Sequence, residues 1–368
     1  GDNNTASGLY ALKANTTGGL NTATGVNALG ANTTASSNTA VGYYTLAATT
    51  TGAQNTAVGR VALLVNTTGA DNTGLGFAAL KANTVGCNTA VGSCALCSNT
   101  TAINNTAVGA HALAAVTTGV YNTALGTKSL LTNTGTRNTA LGSHALKANT
   151  TGSYNTASGQ YSMVANTTGE QNTASGRYAL KSNTTGNQNT SVGIYALNNN
   201  TTASYNTAVG SCALFANTTG QFSTAVGFCA LKSNTTGTNA GIGAYALTNN
   251  TTGNHNTALG IQTLNQNTTG NANTASGRYA LYTNTTGCHN TATGYSALLC
   301  NTTGCYNTAS GMQSMYYSTT ANYNTAIGAT SLHLNTTGSY NTAVGSCTLY
   351  ANTTGAENDA FGYQALKS

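Results

Sequence analysis

The sequence predicts an all-β protein: a β-solenoid, or parallel β-roll, of about 22 stacked 17-residue coils. Three observations predict it: a strict 17-residue period, a glycine at one fixed place in each period, and a leucine at another. Aligned on the triplet Asn-Thr-Ala, the units begin at Asn4, Asn21, Asn38 and onward to Asn358, and Ser223 replaces the asparagine once. Eighteen of the 21 intervals are 17 residues long, and the three that begin at Asn72, Asn122 and Ser223 are 16. The consensus is N-T-A-V-G-x-x-A-L-x-x-N-T-T-G-x-x, and its places are numbered 1 to 17 here. A period this short marks stacked supersecondary units, not repeated domains. Residues 1–368 therefore read as a single repeat array with no separate domain.

Seventeen residues are too few for two packed helices and a turn. The unit is also rich in Asn, Thr and Gly, which favour turns and strands over helices. At about 3.3 Å per residue, one unit is long enough for two short strands and two turns. Places 2 to 4 (Thr-Ala-Val) read as the first strand and the segment x-x-Ala-Leu-x as the second. The Asn-Thr-Thr-Gly segment is one corner, and the glycine at place 5 helps to form the other. That glycine is present in all 22 units, from Gly8 to Gly362, which points to a backbone conformation or a close approach that only glycine allows. Place 9 is leucine except at Met163 and Met315, and it is expected to face the nearly invariant alanine of place 3 across a thin core. One buried leucine contributes about 1.5–3 kcal/mol. A lone coil is not stable on that, but a stack of coils is.

Stacking brings identical residues to about 4.8 Å, where one asparagine amide can donate to the next and build a ladder. Two such rows exist, at places 1 and 12. The Asn-Thr-Ala of place 1 is no acceptor for N-linked sugar, whereas Asn-Thr-Thr is one. Sixteen corners carry the acceptor: Asn15, Asn32, Asn66, Asn99, Asn149, Asn166, Asn183, Asn200, Asn217, Asn234, Asn250, Asn267, Asn284, Asn301, Asn335 and Asn352. Turns lie on the surface, so this row is expected to point outward, open to glycosylation, while place 1 points inward. A purely structural Asn-Thr-Thr corner is the other reading. Places 6, 7, 10, 11, 16 and 17 vary and decorate the surface; Lys13, Lys81, Lys147, Lys181, Lys232 and Lys367 all sit at place 10.

Composition excludes several functions. Only 4% of residues are charged, and the net +6 is spread thinly, unlike the clustered Lys and Arg of a nucleic-acid footprint. No run of about 20 apolar residues is present to span a bilayer. With 39% hydrophobic residues in fixed register, order is expected, not disorder. Catalysis needs converging acids, bases or nucleophiles. The five acids, Asp2, Asp71, Glu170, Glu357 and Asp359, are far apart except for the last two. The histidines, His111, His144, His255, His289 and His333, lie on non-adjacent coils, and surface decoration explains them. No phosphate-binding loop is present, and three Asp are too few for a calcium-binding β-roll. No catalytic, cofactor or metal site is expected.

Among nine cysteines, Cys94 and Cys97 have C-x-x-C spacing but lack the second pair of a zinc site. Cys212 and Cys229 share place 7, and Cys288 and Cys305 share place 16. Stacking brings each pair within disulfide reach, so both are possible disulfides, with free thiols as the other reading. Cys87, Cys300 and Cys347 have no evident partner. Tyrosines also form rows: Tyr161, Tyr178 and Tyr195 at place 7, and Tyr306, Tyr323 and Tyr340 at place 17. Self-stacking accounts for them, and a sugar-binding strip is the sharper alternative.

The pattern N-T-A-V-G-x-x-A-L-x-x-N-T-T-G-x-x, with its closing AFGYQALKS, resembles repeats of bacterial and phage tail-fibre-domain surface proteins over essentially the whole chain. The motif NTAVG is distantly similar to the head repeats of trimeric autotransporter adhesins, which are left-handed parallel β-rolls. The resemblance implies extracellular fibres, often homotrimeric, that carry a tip or an anchor. The expected function is therefore a structural extracellular fibre or adhesin shaft at a cell or virion surface. It would be a self-assembling rod, not an enzyme. Its expected partner is itself, as a lateral homo-oligomer or an end-to-end filament, with glycans as a further partner. No nucleic acid and no membrane insertion are expected. The alternative is an ice- or carbohydrate-binding module that uses the Thr/Asn or Tyr rows. The chain opens inside a repeat, so the gene product is expected to be longer or processed.

Overall fold

The computed structural model describes residues 1–368. It contains 22 strands of three residues, one per coil, and no helix. The chain forms two compact units, Gly1–Asn187 and Gln188–Ser368. The first carries β1 (Thr5–Ser7) to β11 (Thr173–Ser175), and the second β12 (Thr190–Val192) to β22 (Asp359–Phe361). Within each unit every strand pairs in parallel with its copy one coil on. Thr22 lies against Thr39 and Thr39 against Thr56 in the first, and Thr207 against Thr224 in the second. Each unit is a β-solenoid, and the connection that parallel strands require is the rest of the coil itself.

Alternation along the strand turns place 3 inward and places 2 and 4 outward. Ala40, Ala57 and Ala90 are completely buried, as are the place-9 residues Leu46, Leu63 and Met163. Gly74 stands where an alanine is usual, and a Cβ built on it would lie 3.4 Å from Leu63 Cδ1. Place 3 therefore faces place 9 across the core, as the pattern predicts.

The second strand does not form. Places 6 to 11 are a succession of turns in which places 7 and 9 are left-handed, for example Tyr44 at φ 53° and Leu46 at φ 50°. The chain doubles back on itself: Ala62 N donates to Gly59 O at 3.3 Å, and Asn32 N donates to Leu29 O at 3.1 Å. Coil-to-coil bonding continues without extended backbone, since Leu29 N donates to Thr45 O and Leu46 N to Ala62 O, both at 3.1 Å. A left-handed leucine costs about 1–2 kcal/mol. Complete burial, worth about 1.5–3 kcal/mol, offsets that. The glycine of place 5 is obligatory for two reasons. Gly59 has φ 129°, and a Cβ on it would meet the Gly76 carbonyl oxygen of the next coil at 2.5 Å.

The place-12 asparagines also depart from expectation: they point inward. Fourteen of the 16 (all but Asn15 and Asn352) have no exposed surface. Each amide works inside the coil. Asn166 Nδ2 donates to Gly169 O at 3.0 Å and to Asn149 Oδ1 of the coil before at 2.7 Å. Even the half-exposed Asn15 and Asn352 donate to Gly18 O and Gly355 O. The corner backbone lies at the surface, but its first side chain folds under it. The row is therefore a ladder, and the expected accessibility for N-linked sugar at these sites is corrected. Place 1 forms the ladder foreseen for it, with Asn55 N donating to Asn38 Oδ1 at 2.9 Å and Asn172 N to Asn155 Oδ1 at 3.0 Å. Outside, the place-13 threonines bind coil to coil, as in Thr150 Oγ1 to Thr167 O at 3.0 Å.

Candidate functional site

Because places 2 and 4 both point out, each unit presents an outer sheet face made of two columns. Place 2 is threonine in every coil except at Ala240 and Asp359. Place 4 is Val, Leu, Ile, Ser or Thr up to the final Phe361. Pairing is in strict register, so Thr89 opposes Thr106 and Val91 opposes Val108. Val41, Val58, Leu125 and Leu141 in the first unit, and Val192, Ile242, Leu259 and Ile327 in the second, are 36–50% exposed. Asp359 is the one charged residue in either column. Apolar side chains repeated along a sheet face with one charged residue make this face the candidate interaction surface.

The rows beside this face hold the aromatic residues, and the structure stacks them on one another. His289, Tyr306, Tyr323 and Tyr340 form one stack, with ring centroids 4.8, 4.9 and 5.1 Å apart and planes within 7° of parallel. His144, Tyr161 and Tyr178 form another, at 4.9 and 5.5 Å. His333 stacks on Tyr350 at 5.1 Å. Inside such stacks both faces of a ring are covered, so only edges and terminal faces meet solvent. Arg137 lies between Tyr121 and Tyr154, 5.6 and 5.4 Å from their ring centres, and its Nη1 donates to the Tyr154 hydroxyl at 2.6 Å.

The cysteines sort differently from expectation. The bridge that forms is Cys94–Cys97, within one coil, with Cα atoms 4.8 Å apart. Places 7 and 10 flank the left-handed turn, which folds them together. That turn was the missing signal in the sequence. The inter-coil bridges Cys212–Cys229 and Cys288–Cys305 are not formed, and all four are free thiols. At place 16 the side chain accepts the backbone N–H of the coil before, as Asn271 Oδ1 does from Asn254 N. Cys305 Sγ takes that role, accepting from Cys288 N at 3.0 Å, with the two sulfurs in contact at 2.8 Å. Burial first, then bonding to Cys305, pushes the Cys288 thiol up to about 11. Burial also raises Cys229 and Cys300, whereas hydrogen bonds from Thr330 and Ser346 lower Cys347.

No three His, Cys, Asp or Glu side chains converge as a metal-binding group. His144 is held below its ordinary value, mainly by burial and then by Lys147 and Lys128. No helix is long and apolar enough to cross a membrane. Comparison with protein-family models and with curated proteins finds no match.

Proposed function

We propose that this chain is a structural extracellular shaft that packs laterally on copies of itself through the threonine face. The observation that carries this reading is the pair of columns repeated from coil to coil, uncharged in all but the last, with half-exposed valine, leucine or isoleucine beside threonine in most coils. A second copy of the same face is a fitting occupant. It has the same spacing, one charge in the whole pair of columns, and apolar side chains that gain about 25 cal/mol for each Å² removed from water. The Cys94–Cys97 bridge supports an oxidising location outside the cell. The sequence resemblance to tail-fibre surface proteins supports the same placement.

Sedimentation equilibrium over a range of concentrations tests it, with the triple variant Val58→Lys, Val91→Lys, Leu125→Lys as the control. The parent is expected to associate and the variant to stay monomeric with an unchanged circular-dichroism spectrum. A parent that is monomeric at every concentration removes the proposal.

A second reading rests on the threonine column itself. In-register hydroxyls on one face can order water as an ice-binding surface. Thermal hysteresis in the parent, lost when Thr56, Thr73 and Thr89 become Tyr, would favour it; freezing without hysteresis eliminates it.

A further inference from the structure

The second unit carries a notch where the repeat loses one residue. The coil from Ser223 to Thr238 has 16 residues. The hydrogen bonds show which place is absent. Thr238 N donates to Asn254 Oδ1 at 2.7 Å, the bond that place 16 makes in neighbouring coils, as from Asn254 N to Asn271 Oδ1. His255 N donates to Thr238 O at 2.8 Å, as a place-17 residue does to place 16 of the coil before. Phe222 and His255 both have the left-handed backbone of place 17, at φ 55° and 56°, and Thr238 does not. The coil between them therefore lacks its place-17 side chain.

The result is a shallow cavity of about 310 Å³, lined by Phe222, Thr224, Thr238, Ala240, His255 and Thr257 among others. Ala240 widens it, since every other coil but the last has threonine there. One face of Phe222 stacks on Tyr205, with centroids 4.9 Å apart and planes 4° from parallel. Its other face opens on the gap. His255 closes the far side, two coil steps away, or about 10 Å at ~4.8 Å per step. Where consecutive coils carry aromatic residues in this row, it holds one ring per step, as Tyr306, Tyr323 and Tyr340 show. The gap therefore has room for one ring that the protein does not supply.

We propose that this notch binds a neutral pyranose ring. The C–H face of a sugar would lie on Phe222, while its equatorial hydroxyls meet the Thr224, Thr238 and Thr257 hydroxyls along the rim. No Lys, Arg, Asp or Glu lines the cavity, so a charged ligand finds no counter-ion there. Thr238 Oγ1 donates to Gln221 O at 3.0 Å and is left to accept, while Thr224 and Thr257 can both donate and accept. A flat hydrocarbon ring would cover Phe222 equally well but use none of these hydroxyls, which favours the sugar. The notch shares Thr224, Ala240 and Thr257 with the threonine column, so packing of copies would cover part of it, and the test is run at concentrations at which the chain is monomeric.

Saturation-transfer NMR on the full chain, with methyl glucoside, galactoside and mannoside as probes, tests it. At least one probe is expected to receive saturation, and at least a tenfold loss of affinity is expected in Phe222→Ala. A second variant inserts a tyrosine between Thr238 and Asn239, which restores the 17-residue period and fills the gap without removing any lining residue. It is expected to abolish binding and to melt no lower than the parent. Silence from all three glycosides overturns the proposal, as does transfer that survives both variants. Loss of self-association in the insertion variant without any glycoside signal would place a ring from a second copy in the notch, and that too overturns it.

Discussion

Asn155 and Asn166 donate to one and the same acceptor, the carbonyl oxygen of Gly169, at 2.8 and 3.0 Å. One asparagine comes from the start of the coil and the other from its corner, so this shared oxygen ties both ends of the coil together across its interior. Neighbouring coils repeat the arrangement at Gly152, with Asn138 and Asn149, and at Gly186, with Asn172 and Asn183. An unpaired buried polar group costs about 1–3 kcal/mol. Asn166→Ala leaves Asn149 Oδ1 without its donor and is expected to lower stability by that order in a denaturant melt.

The same geometry bears on sugar attachment. Modification of Asn166 Nδ2 would remove one of two N–H groups already in use and put a glycan where the side chain has no exposed surface. In folded protein from a glycosylating host, peptide mapping is expected to find the buried Asn-Thr-Thr corners bare. A folded, monodisperse product with sugar mapped to Asn166 would show the ladder to be dispensable.

Ser318 interrupts the place-12 ladder. It is too short to reach Asn301, and both Asn301 Oδ1 and Ser318 Oγ are buried without a partner. Ser318→Asn restores the donor and is expected to stabilise by about 1 kcal/mol. A lowered melting temperature would mean that this coil has closed around the serine.

Two glycines that look alike in sequence are expected to respond oppositely to alanine. Gly74 meets only ordinary van der Waals contacts from 3.4 Å outward, so Gly74→Ala should gain about 0.4–1 kcal/mol. Gly59 combines φ 129° with a backbone oxygen 2.5 Å from the new Cβ, so Gly59→Ala should force adjacent coils apart. Equal melting temperatures for the two variants would contradict the assignment of places 3 and 5.

Thiol reactivity should follow the hydrogen bonds. At mildly alkaline pH, alkylation is expected to be faster at Cys347, whose thiolate Thr330 and Ser346 favour, than at Cys288. For Cys288 the folded value of about 11 lies above the ordinary thiol value of 9.0, so the folded state holds its proton more tightly. Its contribution to stability is complete below pH 9.0 and is lost as pH rises through about 11. Cys288→Ser should flatten that part of the stability profile. An unchanged profile would show that the contact with Cys305 carries no linkage.

Sequence alone determined the period, the parallel stacking, the obligatory glycine of place 5 and the burial of place 9. Each depends on an identity that recurs in register, and stacking turns recurrence into contact. What tertiary structure decided is where backbone direction, not residue identity, sets the outcome. Leu46 is left-handed though nothing in leucine announces it, so the expected second strand became turns. That same turn closed Cys94 on Cys97 and not on another coil. Asn166 sits in a surface corner yet points inward, because a corner exposes its backbone while its first side chain is free to take the nearest interior carbonyl. The missing place at Thr238 is visible in the sequence only as a 16-residue interval. Which place was lost, and hence that a ring-sized gap faces Phe222, follows from the hydrogen bonds of the folded coil.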